Sequence, residues 1–289
     1  MARIERLRRY PVKGLDRTEA DSVRISGSGT VAGDREFAMC ESTADRIETG
    51  EQMQTLTYNG KQTDRLHDLR TTFDSETRTL TVDPNTGGRR EFDLSTGDGR
   101  EAASEWFSGF IGDDVECRRH EPPAFVDRPH AGPSVISTAT LENVASWFDG
   151  MSVEGARRRL RANVEIGGVP AFWEDRFVGE RDAPDSRAES GTVGTDAPGF
   201  VVDGPDGEVR FEGVEPCARC VVPSRNPETG DPLPGFRERF VKRRKATFPE
   251  WADRDAFPHF YTVMLISRVP ETSRGRTVRV GDDVWVRDA

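Results

Sequence analysis

The stretch Pro216-Cys217-Ala218-Arg219-Cys220-Val221-Val222-Pro223 narrows the folds open to this chain more than any other. In a thioredoxin-like fold a Cys-x-x-Cys pair sits between a strand and a helix. Here two β-branched residues and a proline stand where that helix would begin. The pair is therefore expected where a strand gives way to a loop, closed by the turn Asn226-Pro227-Glu228-Thr229-Gly230. Thiolates are soft ligands, and an arginine between two cysteines favours their ionised form. A structural zinc site wants four protein ligands. The chain has one Cys-x-x-Cys, and His259 is the sole histidine after it, which weighs against zinc.

The rest of the chain reads as mixed and mostly β. Residues 3–9 alternate and form a first strand that ends at Tyr10-Pro11-Val12-Lys13-Gly14, because Pro11 cannot donate to a sheet. Lys13 and Gly14 then fall on a loop where glycine lets a ligand approach the backbone. Residues 22–26 and 33–39 read as strands, the latter opening on Asp34-Arg35. That arginine either holds an anion or closes a local salt bridge with its neighbour. Residues 43–66 read as loops with one short strand. Leu69–Phe73 and Thr77–Val82 form a hairpin, as do Gly199–Val202 and Glu208–Phe211. Residues 100–111 put Ala103, Trp106, Phe107 and Phe110 on one helical face, and Val115–Arg119 is a strand carrying a structural Cys117.

Four prolines between Glu121 and Pro133 mark a boundary. Ser137-Thr138 caps an amphipathic helix bearing Leu141, Val144, Trp147 and Phe148. Residues 154–161 form a second helix that runs into a strand. Glu180–Pro198 reads as a surface insertion. Phe236–Phe248 is a helix with six basic residues, read as a solvated face or, alternatively, as a dock for an acidic electron-transfer partner. Phe260–Ile266 is a buried strand, and Val278–Val286 two short strands around a turn.

Composition sets the setting. Only Lys13, Lys61, Lys242 and Lys245 among the 41 basic residues are lysine, against 51 acidic residues and a net charge of −10. A lysine-poor acidic surface fits a salt-rich cytoplasm, the halophilic reading, and argues against nucleic-acid binding, which relies on basic contacts to phosphate. The alternative is an acidic protein from a GC-rich genome. No apolar run reaches the roughly 18 residues of a membrane span, and the N-terminus lacks an apolar signal core. A cytoplasmic protein without a membrane partner is expected.

Six elements in one order, YPVKG, GDREF, the helix after Ser137, RLRANVEI, EPCARCVVPSRNPETG and the terminal VGDDVWV, resemble the MOSC-domain proteins preceded by their N-terminal β-barrel domain. The resemblance implies an N-terminal β-barrel-like domain over residues 1–120 and a MOSC β-barrel with peripheral helices over 125–289. Between them it implies the pterin-bound molybdenum cofactor (Mo-molybdopterin, with tungsten as the alternative metal) and gives no expectation of pyridoxal phosphate. It assigns Cys220 as metal ligand and catalytic centre. Lys13, Gly14, Arg35, Arg161 and Ala218 contact the cofactor, with His130, Ala131 and Gly132 in the segment before the capped helix. Cys217 belongs to the same site, packing beside it rather than ligating. The chain departs from the family in carrying Gly14 and Ala218 where serine is common, and no aspartate is evident near residue 130. The implied activity, similar to that of the mitochondrial amidoxime-reducing component, is reduction of small N-hydroxylated substrates. A separate ferredoxin-like protein or flavoprotein would supply the electrons. A non-catalytic cofactor carrier or sulfur-delivery module, like the C-terminal part of molybdenum cofactor sulfurases, is the alternative.

Overall fold

The computed structural model describes residues 1–44, 55–120, 125–128, 132–179 and 197–286. His130, Ala131 and most of Glu180–Pro198 lie outside them. The architecture is mixed and mostly β, with four α-helices among the described residues.

The largest layer is a curled eight-stranded sheet, a half-barrel. It contains β1 (Arg3–Arg9), β2 (Thr18–Ala20), β9 (Ser134–Ser137), β10 (Val164–Gly167), β11 (Gly199–Gly204), β12 (Gly207–Ala218), β13 (Thr262–Arg268) and β15 (Val284–Trp285). Their order is β15-β11-β12-β13-β9-β10-β1-β2. The first strand of the chain thus pairs antiparallel with β10, Leu7 opposite Val164. Between parallel β9 and β10 run α2 (Thr138–Ser146) and α3 (Val153–Leu160). Ser137 caps α2 by accepting from the Thr140 amide, and Ser152 caps α3 through Gly155, as the serine side chains dictate.

A second group of elements is drawn from the first 119 residues. It comprises the pair β4 (Phe37–Glu41) and β8 (Val115–Arg119), the meander β5 (Leu69–Asp74), β6 (Thr79–Pro84) and β7 (Arg90–Asp93), and α1 (Gly97–Ile111). They share a core of Val12, Leu15, Phe37, Met39, Leu80, Val82 and Phe107. Helix α1 starts earlier than its apolar face, because Thr96 accepts the Gly99 amide and opens the helix on Gly97-Asp98-Gly99. Ala103 and Phe107 are buried, while Trp106 and Phe110 stack on each other at 5.1 Å beside the core. Cys117 is structural: burial pushes its thiol up to about 12.

Three expectations change. Residues 22–26 give only β3 (Ser22–Arg24), and residues 33–35 are a turn before β4. The terminal segment forms β14 (Thr277–Arg279) and β15, but these do not pair with each other. β14 joins β3 in a two-stranded sheet of their own, and β15 joins β11 at the edge of the large sheet. Helix α4 (Phe236–Ala246) is not wholly a solvated face, since Arg244 is buried among Phe172, Phe248 and Phe257 and bound to Asp175.

Beside Asp175, Glu174 is 1% exposed, with no cation paired to it among the described residues. Burial first, then Asp175, pushes its pKa up to about 7, with the nearby Thr140 hydroxyl and Ser137 amide pulling the other way. The folded state therefore holds a proton that the unfolded chain releases near pH 4.3. Stability from this group is complete below that value and lost as pH rises towards 7. A shift of this size is worth about 3 kcal/mol. Urea midpoints of the wild type relative to Glu174→Gln should fall between pH 5 and 8; parallel pH profiles would contradict this.

Candidate functional site

Four strand ends and one helix end converge on a cavity of about 430 Å³. β1 leads to Tyr10 and then to Lys13 and Gly14. β9 is preceded by Gly132, β10 by Arg161, and β12 runs out at Cys217 and Ala218. Lys13, Gly14, Arg35, Gly132, Arg161, Cys217, Ala218 and Cys220 all line this one space. Of the residues expected there, only His130 and Ala131 lie outside the described residues.

The arginines of α3 show why the local sequence takes this form. Arg157 is buried and binds Glu165 through Nε and Nη2, each at 2.8 Å. Arg158 donates to Glu228 (3.0 Å) and the Pro227 carbonyl (3.1 Å). Arg159 donates to the carbonyls of Pro223 (3.0 Å) and Arg225, so the helix grips the loop after Cys220. Arg161 closes the helix in the left-handed conformation at φ 60°, which turns its side chain away from its three predecessors. Its Nη2 donates to the Leu15 carbonyl at 2.8 Å, and its guanidinium lies 4.2 Å from the Tyr10 ring centroid. No carboxylate pairs with it among the described residues, and burial lowers its pKa, with Arg35 adding to the effect and Tyr10 opposing it. Asn163, two residues on, staples β9, β10 and β1. Its Oδ1 accepts from the Ser134 amide and hydroxyl, and its Nδ2 donates to the Arg8 carbonyl.

Arg35 also has a positive φ, 53°, with its amide bonded to the Tyr10 carbonyl at 2.8 Å. Arg35 closes the local pair with Asp34, and it also lines the cavity. Met264, the third strained wall residue (φ 71°), lies across from a bulge in β12 between Pro216 and Ala218. Left-handed backbone costs a non-glycine residue on the order of 1–3 kcal/mol and gathers at working sites. Three of the five positive-φ non-glycine residues among those described line this cavity.

The bulge re-aims the chain at Cys217. Cys217 is buried and its sulfur accepts from Arg219 Nη1 at 3.0 Å. Cys220 is the half-exposed cysteine of the four. Its carbonyl accepts from Tyr261 Oη at 3.0 Å, and the Arg219 amide donates to the Tyr261 carbonyl at 2.9 Å, so the residue before β13 clamps the segment, and Cys220 lines the cavity. Downstream, Asn226 organises the turn: its side chain accepts the Glu228 amide and its carbonyl the Gly230 amide.

Lys13 is 6% exposed and ion-paired to Asp127. Burial lowers the Lys13 pKa, against the opposing pull of Asp127. Burial raises that of Asp127, but Lys13, Lys61 and Arg35 outweigh it and hold the carboxylate below its usual range. The sequence reading missed Asp127 because it sits in the proline-rich boundary, ahead of the segment where an aspartate was sought. It also missed Tyr10, the aromatic floor under Arg35 and Arg161, and His67 and Arg225, which line the same cavity.

Would this cavity suit a pterin phosphate carrying a thiophilic metal? Buried polar atoms of its lining residues stand without a hydrogen-bond partner, among them Tyr10 Oη and the Nε atoms of Arg159 and Arg219. Unmet buried donors are costly, and arginine donors match phosphate. Gly14, at φ 90°, lies so close to the facing chain that a Cβ there would stand 2.9 Å from the Tyr58 carbonyl oxygen, so the backbone itself forms the wall. A single accessible thiol beside several cations is the donor set such a group requires. The residues fit it. Among the described residues no group of three or more His, Cys, Asp and Glu side chains is placed to hold a metal ion by itself, and no helix is long and apolar enough to cross a membrane.

No curated protein matches the chain. Residues 1–114 match the family model of the MOSC N-terminal beta barrel domain, and the MOSC family is associated with binding of the molybdenum cofactor. Residues 1–114 thus form a MOSC N-terminal beta barrel domain, and the cavity joins the YPVKG loop of that domain to the Cys-x-x-Cys loop beyond it.

Proposed function

We propose that this protein is a cytoplasmic, molybdenum-cofactor-dependent oxidoreductase that reduces N-hydroxylated compounds with electrons from a separate donor protein. The observation that carries the reading is the convergence of Cys220 with Lys13, Arg35 and Arg161 on one cavity whose buried donors lack partners. The two arginines and the lysine would hold the cofactor phosphate, Gly14 and Gly132 would let it approach the backbone, and the Cys220 thiolate would ligate the metal. When bound, the cofactor supplies the two-electron chemistry that cleaves the N–O bond. The overall change, R–NHOH with two electrons and two protons giving R–NH₂ and water, needs an outside reductant, here a ferredoxin-like or flavin protein. Asp127 keeps the Lys13 ammonium in place, and Tyr261 holds the Cys220 backbone so that the thiol stays aimed at the cavity.

The test is turnover of benzamidoxime and hydroxylamine by cofactor-loaded protein with a reduced viologen dye. Dye oxidation matched by benzamidine formation is expected. Stoichiometric cofactor without turnover would instead make the protein a cofactor carrier or sulfur-delivery module.

A further inference from the structure

Besides Lys13 and Arg35, the cavity lining includes His67, from the short 3₁₀ turn Arg65–Asp68, and Arg225, from the loop after Cys220. The two flank Gly230. A Cβ on Gly230 would stand 3.1 Å from His67 Cβ, and the Gly230 carbonyl accepts from Arg225 Nη1 at 3.3 Å. That bond, with Asp64 at 3.9 Å from the same nitrogen, occupies one corner of the guanidinium. The Nε corner is buried without a partner, and so is His67 Nε2. Gly60 packs closely against them: a Cβ there would stand 3.4 Å from His67 Nε2 and 3.3 Å from Val222 Cγ2. Two unmet nitrogens lining one cavity, one of them five residues along the loop from Cys220, need an explanation that packing does not give.

We propose that His67 and Arg225 form a subsite for a carboxylate on the substrate, so that the compounds reduced are N-hydroxylated molecules bearing an acidic group. The open edge of Arg225 offers donors in the plane that a carboxylate takes side-on. His67 adds one N–H from the facing element. Burial, with Arg225 and Arg161 adding to it, pushes the His67 pKa down, so it meets the anion as a neutral donor. The word substrate rests on the reductase reading above; the carboxylate site does not.

The experiment uses the full chain loaded with cofactor. Benzoate binding is measured by calorimetry, and kcat/KM is compared for 4-carboxybenzamidoxime and benzamidoxime, in wild type, Arg225→Gln and His67→Gln, with molybdenum per chain and thermal melting recorded for each. The wild type should bind benzoate and favour the carboxylated compound. Arg225→Gln should lose benzoate binding and about tenfold or more of that preference, and His67→Gln a smaller part, at wild-type molybdenum content. Equal preference in all three proteins, or no benzoate binding by the wild type, overturns the proposal. So does loss of molybdenum from both folded variants, because these residues would then hold the cofactor. If neither amidoxime is reduced while benzoate binding still depends on Arg225, the reductase reading fails and the carboxylate site stands. Should Arg225→Gln not fold, His67→Gln decides the same outcomes.

Discussion

Glu165→Ala should lower the stability of the fold by about 3 kcal/mol, read as a fall in the urea midpoint at unchanged slope. Glu165 is fully buried and joins three elements. It accepts from Arg157 on α3, from Arg8 on β1 and, at 3.1 Å, from the Thr138 hydroxyl at the start of α2. Truncation leaves two guanidiniums buried against an empty space. Arg8 and Arg157 keep their second partners, Glu19 and Glu154, which are 44% and 46% exposed and compensate only in part. Glu165→Gln keeps the volume and the acceptor, so it should cost about half as much. Burial alone would raise the Glu165 pKa, but Arg157 and Arg8 outweigh it and lower it. Its stabilisation is therefore present above the unfolded value near 4.3 and lost as pH falls through the lower folded value. A variant as stable as the wild type would show that the Arg8–Glu165–Arg157 network does not hold β1, β10 and α3 together.

Arg161→Gly should separate stability from binding. Glycine accepts the left-handed conformation that arginine adopts at φ 60°, and the change removes a half-buried guanidinium that pairs with no carboxylate among the described residues. Without cofactor the variant should be more stable than the wild type by about 1 kcal/mol. With cofactor it should bind about 10- to 100-fold more weakly, the worth of charged hydrogen bonds to phosphate. Thermal melting of the cofactor-free proteins and cofactor titration of both check the two halves. A destabilised variant with unchanged cofactor affinity would make Arg161 a structural cap.

Local pattern carried much of this fold. The hairpins at 69–84 and 199–211, the serine caps of α2 and α3, and the buried run of β13 depend on neighbours in sequence, and each forms where the sequence reading put it, within a few residues. What escaped depends on distant chain. Nothing local tells β14 to join β3 or β15 to join β11. Arg35 and Arg161 could be named as cavity residues, but their positive φ values are imposed by Tyr10 and by the end of α3. Asp127 reads as a linker residue until Lys13 is folded against it. Arg244 reads as one more exposed cation in a basic run until Asp175 and three phenylalanines enclose it. His67 and Arg225 carry no signal in sequence, because what distinguishes them is a missing partner.

The most direct measurement is molybdenum and tungsten per chain, by mass spectrometry, for wild type and Cys220→Ala purified in parallel from a host that makes the cofactor. Near-stoichiometric molybdenum or tungsten in the wild type, and its loss in the variant with the fold intact, is the result expected if this cavity is a cofactor site with Cys220 as the metal ligand. One zinc per chain in the wild type, or molybdenum retained in full by Cys220→Ala, would contradict it.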